Sequence, residues 1–341
     1  MIEVCSLGLF ILDTFEFRSA NTSSTAETTL LKRDEGVIGG GGNYAICGSR
    51  VWLPAPRVGI LVDRGKDWNS EIQNKLDEFG KDMWTYREKE EETTKALNLY
   101  IGQHREFKYL TPRTRLEPID LPTSFHSSQF LHFVCSPTRA LVIQSQISQM
   151  SNWRPSLVYE PIPDRCVPEE LESLRQVLPF ISVFSPNHEE AWSFYGVKTD
   201  EVERRGKDGI EEVAKRFFEK EGANEIVVIR SGAWGAYCLK KGAERGFWVS
   251  AYYPYDDAQA QKNVVDVTGA GNSFLGGLMA GLVLHPSDLE TAVQCASVAA
   301  SFIIEQFGLP TLRTTADGQE LWNESSPAQR LSDLKARSQL P

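Results

Sequence analysis

Between residues 130 and 230 short apolar runs alternate with amphipathic stretches, and this rhythm limits the available folds more than any other feature. Runs at 130–135, 156–160, 181–184 and 225–230 are rich in Val, Ile, Leu and Phe. Between them, 139–150, 169–178, a stretch beginning near Asn187, and 210–220 carry apolar residues at helical spacing. Parallel strands need a crossover between neighbours, and strands covered on both faces read as unbroken apolar runs. The pattern therefore predicts an α/β fold, a doubly wound, mainly parallel sheet flanked by helices. Upstream, 2–10 reads as a buried first strand, 58–62 as a strand and 67–79 as a helix. Downstream, 236–239 and 247–253 read as antiparallel strands about the turn Lys241-Gly242, followed by helices at 275–284 and 289–307.

One stretch breaks the rhythm. Leu97, Leu99 and Ile101 alternate with polar residues before Gly102-Gln103, and Phe107 and Leu110 follow, a period of two that marks a half-exposed hairpin. Residues 18–35 are polar loop or exposed strand, 87–92 an exposed acidic turn, and 313–341 a polar tail. One domain over 1–312 with a small strand-built accessory accounts for the rest of the 341 residues.

A formal net charge of −10 argues against wrapping nucleic acid or coating an anionic membrane, since either needs a basic face. No apolar run has the length of a membrane span, and the first ten residues lack the basic flank of a signal peptide. The six cysteines form no C-x-x-C pair and read as buried, reduced thiols of a cytoplasmic protein.

The chemistry concentrates in Asp266-Val267-Thr268-Gly269-Ala270-Gly271-Asn272-Ser273-Phe274, followed by Gly276-Gly277. A glycine turn entering a small-residue helix aims free N–H groups and the positive helix end at one point, which suits a phosphate or a developing anion. Taken alone, the same residues also suit a helix start packed tightly for structural reasons.

This segment resembles the second signature of the PfkB family of ribokinase-like carbohydrate kinases, D-T-x-G-A-G-D-x-F. Other segments resemble the family in its own order. The resemblance implies an anion hole at Gly269, Ala270 and Gly271. It implies ATP with Mg²⁺, a monovalent cation near Asp266, and a sugar or nucleoside substrate held by Asp13, Gly41, Gly42 and Asn43. Asn187 and Glu190 of an N-x-x-E motif would hold Mg²⁺ through water, with Glu190 the metal residue. Ser231, Gly232 and Gly235 would lie beside the nucleotide with Asp266 and Thr268. The family's β lid would fall at about 12–38 and 94–117, and its exposed strands could pair in a homodimer. Outside that resemblance Asp13 is a loop acid, Asn43 a helix cap, and Glu189 and Glu190 acids that suit a helix dipole.

Asn272 departs from the pattern, because the family has its catalytic aspartate there. A carboxamide cannot accept the substrate proton, and general-base help is worth roughly 10²- to 10⁴-fold. Together with the stretch 301–310, the segment is similar to a fungal branch of PfkB-like "maintenance of killer" proteins, associated with the stability of double-stranded-RNA virus particles. Three readings follow: an ATP-dependent kinase slowed by Asn272, a pseudokinase that binds nucleotide or sugar and acts through partners, or a pocket repurposed for other chemistry.

Overall fold

The computed structural model describes residues 1–19, 29–101 and 104–338. In chain order the strands are β1 (Val4–Ser6), β2 (Ile11–Arg18), β3 (Leu30–Gly39), β4 (Val58–Arg64), β5 (Trp84–Glu88), β6 (Lys95–Ile101) and β7 (His104–Tyr109). They continue with β8 (Phe130–Cys135), β9 (Ser156–Pro161), β10 (Val183–Phe184), β11 (Ile226–Arg230), β12 (Ala236–Lys240), β13 (Phe247–Val249), β14 (Leu312–Thr314) and β15 (Glu320–Trp322). The α-helices are α1 (Gly41–Arg50), α2 (Ser70–Asp77), α3 (Pro137–Gln149), α4 (Leu171–Val177), α5 (His188–Ser193), α6 (Thr199–Glu219), α7 (Ala270–Leu284), α8 (Leu289–Ile303) and α9 (Pro327–Ser338).

The main sheet runs β13-β12-β11-β10-β9-β8-β1-β4-β5, with every pairing parallel except those of β12 with β11 and β13 at one edge. Successive strand residues enter opposite cores. Val4, Val158, Val183 and Val228 pack against α1, α2, α7 and α8. Cys5, Leu157, Tyr159, Phe184 and Val227 face α3, α4, α5 and α6. That two-sided burial is why the strands read as unbroken apolar runs. β1 pairs with β4 on one side and β8 on the other, so the sheet winds outward in both directions from it. Ligands in such folds gather beyond the carboxyl ends of the strands at this switch point.

A separate four-stranded sheet, β3-β2-β6-β7, stands apart from the main one. The hairpin expected from the period-two stretch is β6 and β7, paired from Ala96 with Tyr109 to Ile101 with His104. Parts of the expected lid, residues 20–28 and 102–103, lie outside the described residues.

Several boundaries differ from expectation. β1 ends at Ser6 rather than running to 10, because the backbone of Gly42 passes Gly8 where a Cβ would collide with it. Residues 84–88 form the edge strand β5, with Arg87 and Glu88 at its end instead of in a turn. α6 begins at Thr199, well before 210, and α7 begins at Ala270. The polar stretch after Leu312 folds back as the hairpin β14-β15 and α9, fully burying Trp322 and Leu334. All six cysteines are buried and unpaired, and burial pushes the thiols of Cys5, Cys47 and Cys238 up to about 12. Among the described residues no helix is long and apolar enough to cross a membrane.

Candidate functional site

Helices α1 and α7 bring two glycine-rich turns together. Gly276 meets the carbonyl of Ala45 and Gly48 that of Ser273 so closely that a Cβ at either would collide with backbone. Ser49 Oγ donates to Gly276 O at 2.9 Å across this contact. The close crossing sets the N-terminus of α1 beside that of α7, and a Cβ on Gly41 would lie 3.2 Å from Asn272 Nδ2.

The start of α7 is held open. Gly269 adopts the left-handed φ of 80° that lets the chain turn into the helix, and no side chain caps it among the described residues. Its first N–H groups therefore lack helical partners. Asp266 Oδ1 accepts from Thr268 N at 3.2 Å, Thr268 Oγ1 at 3.0 Å and Tyr100 OH at 3.3 Å. Asp266 Oδ2 is buried without a hydrogen-bond partner among the described residues, an orphaned acceptor that fits the expected monovalent cation.

A cavity of about 430 Å³ opens in front of this turn. Asn187, Arg230, Ser231, Gly232, Gly235, Ala270 and Gly271 form its polar end, while Val264, Val267, Ala300 and Ile304 line its apolar wall. Ser231 N bonds back to Gly235 O at 2.7 Å, closing a turn in which Gly232 and Gly235 take positive φ. Of the residues expected beside the nucleotide, Asn187, Ser231, Gly232 and Gly235 line this cavity, together with Ala270 and Gly271 of the expected anion hole, whereas Glu190, Asp266 and Thr268 do not line it.

Asn187 and Glu190 form a reciprocal helix cap. Asn187 N donates to Glu190 Oε2 at 2.7 Å, and Glu190 N donates to Asn187 Oδ1 at 2.8 Å. Burial raises the Glu190 carboxyl to about 7 against the opposing charge of Arg230. Glu190 Oε2 is thus engaged by the Asn187 amide and faces Arg230 Nη2 at 3.4 Å, so a Mg²⁺ ion held here through water would share that oxygen with a cation of the chain.

Asn272 Nδ2 donates to Glu160 Oε2 at 2.6 Å, at the end of β9. Glu160 Oε1 lies 2.8 Å from Arg230 Nη1, and Arg230 Nη2 lies 3.4 Å from Glu190 Oε2. His132 Nε2 stands 3.5 Å from Glu160 Oε2, while its Nδ1 shares a hydrogen bond with Ser6 Oγ at 2.9 Å. Burial works to raise the Glu160 carboxyl. Arg230, His132 and the Asn272 amide outweigh it and hold the group below its ordinary range. Glu160, Arg230 and His132 had no role in the sequence reading. Their only sequence signal was position, since Glu160 and Arg230 end or nearly end strands at the ligand-bearing edge.

On the acceptor side Asp13 is buried, and its Oδ1 accepts from Asn98 Nδ2 at 3.0 Å. Asn43 is fully buried in α1, with Nδ2 lacking a partner among the described residues. The glycines do the local packing, since Gly42 N donates to Leu9 O at 3.2 Å. Beside Gly41 a second cavity of about 490 Å³ is lined by Leu7, Gly8, Arg113, Arg115, Arg139 and Arg165. Arg139 pairs with Glu117 at 2.6 Å and Arg165 with Glu170. Arg113 lies over the Tyr109 ring at 4.9 Å.

The family profile described as pfkB family carbohydrate kinase matches residues 1–315. An uncharacterized protein of Schizosaccharomyces pombe is 29% identical over 97% of this chain and 92% of its own length. Protein MAK32 of Saccharomyces cerevisiae is also 29% identical, covering 99% of this chain and 93% of itself. Among solved structures, ribokinase from Cryptococcus neoformans var. grubii in complex with ADP superposes with a TM-score of 0.65 at 19% identity, covering 99% of this chain and all of that one.

Proposed function

The chain belongs to the pfkB family of carbohydrate kinases, and from that premise we propose that it binds ATP before α7 and slowly transfers the terminal phosphate to a hydroxyl of a sugar, nucleoside or related small molecule. The observation that carries this reading is the cavity itself. Two glycine turns and an uncapped helix N-terminus meet an apolar wall, which suits polyphosphate at one end and a base at the other.

Asn272 accounts for the slowness. Its amide nitrogen is committed to Glu160, and a carboxamide has no basicity to take the acceptor proton. Glu160 is a poor substitute, because its charge is already satisfied from three sides. What remains is positioning and charge stabilisation by the first turn of α7. Asp266 orders that turn through Thr268, and its Oδ2 would hold the monovalent cation.

Asp13, Gly41, Gly42 and Asn43 hold the acceptor in this reading, under a lid formed by the sheet β3-β2-β6-β7. The arginines of the neighbouring cavity favour an acceptor that carries an anionic group besides its hydroxyl. The outer strands of the lid present edges suited to pairing with a second copy, giving a homodimer.

A second reading, a nucleotide-binding pseudokinase, is favoured by the same Asn272–Glu160 bond, which fills the position of the base with a closed interaction. Measuring ATP binding and ADP release across sugars, nucleosides and sugar phosphates separates the two. Bound ATP with slow, acceptor-dependent ADP release supports the kinase, and bound ATP without release supports the pseudokinase. Failure to bind ATP overturns both.

A further inference from the structure

Arg230 closes β11 and reaches under the first turn of α7, where a Cβ on Gly271 would collide with its Nη1. Its guanidinium sits between the anion hole and the N-x-x-E helix. It meets Glu160 Oε1 at 2.8 Å, Ser185 O at 3.0 Å and Glu190 Oε2 at 3.4 Å. Glu160 and Glu190, the two acids it meets, are therefore already answered by a cation belonging to the chain, and Glu189 is the acid that lines the cavity itself. Arg230 Nε is buried with no hydrogen-bond partner among the described residues, and the residue lines the cavity. A guanidinium stays charged at any accessible pH, so burial cannot silence it. A buried donor without an acceptor is costly and rare.

We propose that Arg230 is the resident cation of the phosphate site: it takes a phosphate oxygen of the nucleotide, and nucleotide binding here needs no divalent metal. The proposal rests on the nucleotide reading above and adds to it the source of the compensating charge. Phosphate oxygens gathered at α7 require positive charge beyond the helix end. Arg230 supplies it through a planar fork whose other arms are fixed by Glu160 and Ser185, so its position is set before the ligand arrives.

The experiment is a thermal-shift and calorimetric titration of the full chain with ATP and with inorganic tripolyphosphate, in EDTA and in Mg²⁺. The expected result is a rise in melting temperature in EDTA at least equal to that in Mg²⁺. Arg230→Gln should lose roughly 10- to 100-fold of the metal-free affinity and should recover part of it in Mg²⁺, since Glu160 and Glu190 are then released. If Arg230→Gln does not fold, Arg230→Lys keeps the charge without the fork and should weaken metal-free binding while leaving it metal-independent. Wild-type binding that appears only with Mg²⁺ overturns the role of Arg230 and leaves the nucleotide reading standing. Absence of binding in both conditions overturns both.

Discussion

An Asn272→Asp substitution exchanges an amide that donates to Glu160 Oε2 at 2.6 Å for a carboxylate at the same spacing. Two unit charges that close repel by roughly 6 kcal/mol at an effective dielectric near 20. One proton is therefore retained and shared, and the pair titrates as a unit at a raised value. The folded chain then holds a proton that the unfolded chain releases in the ordinary carboxylate range. Because the folded value is the higher, stability is full below the unfolded value and is lost as pH rises through the raised one. The charged hydrogen bond lost at high pH is worth about 1.5–3 kcal/mol. Urea unfolding should show Asn272→Asp destabilised by about 2–4 kcal/mol at pH 8 and by less than about 1 kcal/mol at pH 4. Aspartate alone thus does not recover the family base, and ADP release should rise less than about tenfold. Adding Glu160→Gln gives the new carboxylate an amide neighbour, and the general-base gain of roughly 10²- to 10⁴-fold should then emerge. A single substitution that is fully stable at pH 8 and raises turnover by about 100-fold would refute this reasoning.

The raised Glu190 carboxyl predicts that wild-type stability falls by about 3 kcal/mol as pH rises from its unfolded value through about 7. Glu190→Gln keeps an acceptor for the cap and should remove that slope in denaturation curves at several pH values. Gly276→Ala drives a Cβ into the Ala45 carbonyl, where backbone faces backbone, so it should cost about 2–3 kcal/mol or more in the same assay. Replacing Arg113 and Arg115 together by glutamine should weaken a phosphorylated acceptor by roughly tenfold in KM. A neutral acceptor should be unaffected, and equal loss for both would count against the anionic-acceptor proposal.

The α/β architecture was legible because its strands are buried on both faces, so the apolar runs at 130–135, 156–160 and 225–230 carry their own length and spacing. The glycine turn before α7 was legible because Gly269 and Gly271 are required by backbone conformation and close packing, and such requirements appear directly in sequence. Edge strand β5 was hidden, since Arg87 and Glu88 are half exposed or exposed and their charges read as a turn. The packing of the segment after Leu312 was hidden for a related reason, resting on Trp322 and Leu334 within an otherwise polar stretch. The Glu160–Arg230–Asn272 network could not be read at all, because it joins three distant strand and helix ends. Only the three-dimensional register reveals that the Asn272 amide is tied to a buried ion pair.

The central claim is that a nucleotide occupies the cavity between α7 and the turn of Ser231 to Gly235. Calorimetric titration of ADP into the wild-type chain and into Ala300→Phe tests it most directly. Ala300 lines the apolar wall from α8, and a phenyl ring there fills the space of a base without breaking a hydrogen bond of the site. The account predicts binding at a single site in the wild type and at least about tenfold weaker binding in the variant, with the melting temperature of the free variant unchanged. Absence of ADP binding in the wild type, or equal affinity in Ala300→Phe, would contradict it.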